Sequence, residues 1–144
     1  MKKHIKIVLS LLLIATAIGA APKAKKPKNF AELFGKTWTL EKAFAGKQDL
    51  TERYVKETLQ GNALVYTFSE DGSMTCNDPG AVSCDWIFDD KGFQIHTRNK
   101  IPENPPPGQA YAENVTLIWS LKIIKDTLTL EQPVLKMKMI FKGQ

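Results

Sequence analysis

The chain predicts an all-β domain: an antiparallel up-and-down barrel or barrel-like meander of about eight strands, with one short helix between the first and second strands. Three observations carry this. After Lys36 the apolar residues recur mostly at every second position, the period of a half-buried strand rather than of a helix. Short polar turns separate these runs at hairpin spacing: Glu70-Asp71-Gly72-Ser73, Asp89-Asp90-Lys91-Gly92 and Lys125-Asp126. The aromatic residues all lie between Phe30 and Phe141, where they supply one core and argue against disorder.

The first residues make a different signal. Lys2, Lys3, His4 and Lys6 precede an apolar run from Ile7 to about Ile14, and small residues follow to Ala20. That order is a secretory signal peptide cut near Gly19 or Ala20, and the run is too short to span a bilayer. The expected product is therefore exported, periplasmic or extracellular, with no transmembrane segment. Residues 21–29 read as a Lys/Pro/Ala-rich linker and residues 30–144 as one domain, expected as a monomer. A foothold of the linker on an anionic membrane is the sharper alternative. The net charge of +5 belongs to the termini: from residue 29 onward 13 basic residues face 15 acidic ones. A slightly acidic domain argues against nucleic-acid binding, which needs a basic face on the folded part.

Within the domain, Trp38 and Leu40 open the first inward stripe, followed by Leu64, Tyr66 and Phe68, with a short strand near Met74–Cys76. Val82, Cys84, Trp86 and Phe88 share one face, with Ser83, Asp85 and Ile87 on the other. Phe93 and Ile95 alternate with Gln94, His96 and Arg98. The longest stripe is Val115, Leu117, Trp119, Leu121 and Ile123; Leu128, Leu130, Leu135, Met137, Met139 and Phe141 complete the set.

Two segments break the alternation. Leu50, Tyr54, Val55 and Leu59 recur at helical spacing, behind Asp49 as N-cap with Glu52 as its capping-box partner, and Gly61 ends the run. This predicts a helix over Thr51–Gln60, lying across one end of the barrel as a plug or as a ligand gate. Residues 99–113 carry Pro102, Pro105, Pro106, Pro107 and Gly108, which exclude a central strand. They predict a long loop, either a recognition arm or a cover over a barrel edge.

Chemistry-bearing residues are few. Cys76 and Cys84 flank a turn-rich loop, and in an oxidising compartment such a pair predicts a structural disulfide. The spacing is too long for a C-x-x-C redox pair, and only His96 is at hand as a further metal ligand, so no metal site is expected. His96 lies on a polar face, and Asp89 and Asp90 belong to a turn where Asp serves the backbone. No hydrolase, zincin, P-loop or dinucleotide motif occurs, and the expectation is a non-enzymatic protein without cofactor. Trp38, Tyr66, Phe68, Trp86, Trp119 and Met137 all point inward in this reading. They make either a packed core or the lining of a ligand pocket, since a small eight-stranded barrel is wide enough for one small ligand.

Leu33-Phe34-Gly35-Lys36-Thr37-Trp38-Thr39-Leu40, the Tyr66–Ser73 hairpin and Asp126-Thr127-Leu128-Thr129-Leu130 resemble landmarks of secreted bacterial lipocalin-like, calycin-type domains. The Gly-Lys-Thr-Trp opening with Cys76-Asn77 is also similar to META/HslJ-like envelope domains. The first resemblance implies an exported protein holding a small hydrophobic ligand inside a barrel. The second implies a solid barrel that meets an envelope protein partner, as a stress-response factor or inhibitor.

Overall fold

The computed structural model describes residues 23–144; the expected signal peptide lies outside the described residues. A 3-10 turn, η1 (Phe30–Leu33), leads into β1 (Thr37–Ala45) and the two-residue β2 (Gln48–Asp49). Helix α1 (Thr51–Thr58) follows, then β3 (Val65–Phe68), β4 (Ser73–Cys76), β5 (Ala81–Asp89), β6 (Gly92–Asn99), β7 (Asn114–Ile124), β8 (Thr127–Gln132) and β9 (Met137–Gly143). From β3 onward each strand pairs antiparallel with the next, β3 pairs β1, and β9 returns to β1. Eight strands thus close a barrel, and β2 is a small annex on β1. Closure removes the open sheet edges that would otherwise template aggregation.

The alternating stripes turn inward much as their period requires. Trp38, Leu40, Leu64, Phe68, Phe93, Ile95, Trp119, Ile123, Leu128, Leu130, Met139 and Phe141 are all buried. Two bulges shift the phase. Between Leu40 and Lys42 the β1–β9 register slips by a residue, so the inward position after Leu40 is Ala43. A second slip between Ala81 and Ser83 turns Val82 outward, where it is 54% exposed, and separates it from the Cys84–Trp86–Phe88 face it was expected to share.

The helix is shorter than expected and starts differently. Phe44 pairs with Asp49 around the left-handed Gly46, a hairpin that commits Asp49 to β2. Leu50 therefore takes the capping position without a side-chain bond, while Asp49 Oδ1 accepts hydrogen bonds from Thr51 N (2.9 Å) and Thr51 Oγ1 (2.5 Å). Gln60 and Gly61 both have positive φ and end the helix, with Gly61 N donating to Val55 O at 2.9 Å. Tyr54 and Val55 pack on the core, and Leu59 behind them is buried. The proline-rich loop is tied at its neck, where Asn99 N donates to Glu113 O (2.7 Å), Asn99 Nδ2 to Ala112 O (3.0 Å) and Lys100 N to Gly80 O (2.9 Å). Of residues 100–113, all but Gln109 are exposed.

The segment expected as a linker is held against the barrel. Ala24 N donates to Asp90 O at 2.8 Å, Lys23 pairs with Asp90, Lys26 Nζ sits 4.8 Å from the centre of the Phe30 ring, and Asn29 Nδ2 donates to Ile123 O at 2.9 Å.

Candidate binding cleft

The three tryptophans show how the barrel is divided. Trp38 is fully buried, and its indole N–H donates to Leu33 O at 2.9 Å, which ties η1 to β1. Its register partner is Gly143, where an added Cβ would lie 2.8 Å from the Trp38 ring; only glycine leaves room for the indole. Trp86 donates to Ser69 O at 2.8 Å and meets the rings of Phe30, Phe34 and Phe93 at 5.5–5.8 Å. Phe68 packs edge-on to Phe93 at 5.6 Å, and Tyr66 stacks on Phe141 at 5.1 Å. Ring separations of this size are the favoured range for aromatic pairs. Four of the six expected ligand contacts, Trp38, Tyr66, Phe68 and Trp86, are thus engaged with one another's neighbourhood as core. Met137 is half-buried, opposite Ala45 and Gln132, and packs against that core.

Trp119 stands apart. It sits where β7 changes partner: Asn114–Trp119 pair with β6, whereas Ser120–Ile124 pair with β8. The wall is staggered there, and the β8–β9 turn begins at Pro133 just as the first half of β7 loses its neighbour on that side. A cleft of about 740 Å³ runs along β7 from residues 116 to 121. Leu117, Trp119 and Leu121 line it, with Phe88, Gln132 and Leu135 beside them and Ala24, Lys25, Pro27 and Lys91 on one flank. Gln132 is buried and its Oε1 accepts from Leu135 N at 2.7 Å, which shapes the turn. The Trp119 indole N–H is buried without a hydrogen-bond partner among the described residues, as is the Gln94 side-chain NH₂. An unpaired buried donor costs about 1–3 kcal/mol, so both are departures from normal packing.

Gln132, Leu135, Lys25 and Lys91 were not anticipated. Gln132 had a legible signal: it continues the inward Leu128–Leu130 parity, and a polar residue there is unusual. Lys25 had none, because nothing local says that a Lys-rich tail will return to the wall.

Cys76 and Cys84, expected as a disulfide, lie near each other and are unbonded here. Cys76 lies opposite Tyr66 and Cys84 opposite Met74, so the pair is a diagonal neighbour across β4 and β5, not a directly facing one. Burial, the largest cause, pushes the Cys76 thiol up to about 12. Burial, the largest cause for each, likewise raises the hydroxyls of Tyr54 on α1 and Tyr66 on β3. His96 Nδ1 contacts Thr116 Oγ1 at 2.6 Å on the outer face. Asp89 accepts from Lys91 N in its turn. Among the described residues no group of three metal-ligating side chains occurs, and no helix is long and apolar enough to cross a membrane.

No family model, curated protein or solved structure matches the chain. The closed eight-stranded barrel is compatible with the lipocalin-like resemblance at the level of fold.

Proposed function

We propose that this is an exported, non-enzymatic binding protein that holds a small, mainly apolar ligand. The site we assign is the cleft along β7 rather than the barrel axis. The observation that carries the reading is the contrast between the engaged aromatic core and a cleft of about 740 Å³ floored by Trp119. That volume is in the range of small-molecule sites, which are mostly apolar with a few placed polar groups. Export is supported by the composition of residues 1–20, and it would bring Cys76 and Cys84 into an oxidising compartment where a bond between them is favoured.

Native mass spectrometry of protein purified from its own compartment tests this: a bound small molecule is expected. Ligand addition should also shift the emission of Trp119 in a variant in which Trp38 and Trp86 are phenylalanine. A bare protein mass together with unshifted emission across a panel of apolar ligands would sink the reading.

A second reading, capture of an envelope protein, is favoured by the exposed loop that carries Ile101 and Tyr111. Deleting residues 102–108 would then abolish capture with the melting temperature nearly unchanged.

A further inference from the structure

We propose that the cleft selects an anionic amphiphile, whose apolar body lies on Trp119, Leu117 and Leu121 and whose head group is drawn to Lys25 and Lys91. This rests on the cleft being the binding site. Its content is the charge and hydrogen-bonding sense of the ligand.

Three observations point the same way. First, the charged residues that line the cleft are Lys25 and Lys91, and no Asp or Glu is among the lining residues. Neither lysine is in an ion pair or ring contact among the described residues. Five other lysines are so engaged: Lys23 with Asp90, Lys26 with Phe30, Lys36 with Asp126, Lys42 with Asp49 and Lys138 with Glu131. The charge lining this cleft is therefore of one sign, two lysines with no carboxylate among the lining residues. Second, one lining residue carries a buried hydrogen-bond donor without a partner among the described residues. Trp119 offers only an N–H, and that N–H is unpartnered in a side chain 5% exposed. Of the other polar side chains there, Gln132 Oε1 accepts from Leu135 N and Thr116 Oγ1 contacts His96 Nδ1. A hydrogen-bond acceptor that reached this Trp119 N–H would remove the deficit, and a donor would not. Third, Lys25 is brought to the cleft by a built connection, the Ala24 N to Asp90 O hydrogen bond at 2.8 Å next to Lys91. The residues read as a linker are therefore one flank of the site.

Carboxylate and phosphate heads share the required chemistry. A twelve-carbon series separates them: laurate, dodecyl phosphate and uncharged dodecanol, each titrated into the purified protein below its aggregation limit. Both anions are expected to bind about tenfold more tightly than dodecanol, with the difference shrinking as salt is raised. The exposed double variant Lys25→Gln/Lys91→Gln should bring the anions to the dodecanol level while leaving dodecanol binding and the melting temperature unchanged. The order of laurate and dodecyl phosphate identifies the head group. Equal binding of all three, or an unaffected double variant, overturns the selection for charge and leaves the apolar cleft standing. No binding by any of the three overturns the cleft itself.

Discussion

Trp38 and Trp119 both point into the barrel from long strands and both are buried, yet they do opposite things. Trp38 gives its N–H to Leu33 O, lies across Gly143 and joins η1 to the sheet. Trp119 leaves its N–H unpaired and floors an open cleft at the point where β7 changes partner. One end of the barrel is saturated, every indole and ring matched to a neighbour; the staggered wall is not. The difference separates the region that holds the fold from the region free to hold something else. A burial pattern alone does not distinguish the two.

The largest test of that contrast is at Trp38. Trp38→Ala should lower stability by about 3–5 kcal/mol, read as a drop in the urea midpoint, because a buried ring is lost from a site that cannot collapse around Gly143. A loss below about 1 kcal/mol would mean that the packed end is not where stability resides. Next in size is the thiol pair. Mild oxidation should remove two mass units and raise stability by about 2.5 kcal/mol, the chain-entropy value for so short a loop less any strain. A destabilised oxidised form would show that the diagonal placement of Cys76 and Cys84 resists closure.

The sharpest comparison uses one substitution twice. Trp38→Phe leaves Leu33 O without its donor, whereas Trp119→Phe deletes a donor that had no acceptor. With similar volume removed, Trp38→Phe should be the worse by about 1–3 kcal/mol in chemical denaturation. Equal losses would mean that the indole N–H of Trp119 is satisfied in solution.

The smallest effect expected is one of pH. Burial holds the Cys76 thiol near 12 against an ordinary 9.0, so the folded state keeps a proton that the unfolded chain releases. The associated stability is complete below about pH 9 and is lost as pH rises toward 12. Tyr54 and Tyr66 add in the same direction above 10. The urea midpoint of the reduced protein should fall between pH 8 and 10.5, and fall less in Cys76→Ala; a flat profile would place the thiol in water.

The barrel was legible because its cause is local. A period of two in Val115–Ile123 or Leu128–Leu130 is a property of neighbouring residues, and each inward assignment in those strands holds. Glycine turns behaved likewise: Gly72 and Gly92 have the positive φ that their hairpins require. Val82 and the capping role of Asp49 failed for a common reason. A bulge and a two-residue hairpin are set by what the partner strand does, and no alternation within the segment reveals them.

The same division holds for the site. Residue identity and periodicity were enough to name Trp38, Tyr66, Phe68, Trp86, Trp119 and Met137 as inward-facing, and to place Cys76 near Cys84. Which tryptophan would be locked and which left beside a cleft depended on where along β7 the pairing passes from β6 to β8. That handover is a long-range choice of register, fixed by closure of the whole barrel rather than by any stretch of chain. The return of Lys25 to the wall is of the same kind, since it hangs on a hydrogen bond to Asp90, 66 positions away from Ala24. Side-chain direction follows from the strand itself; what a side chain finds when it gets there follows from closure.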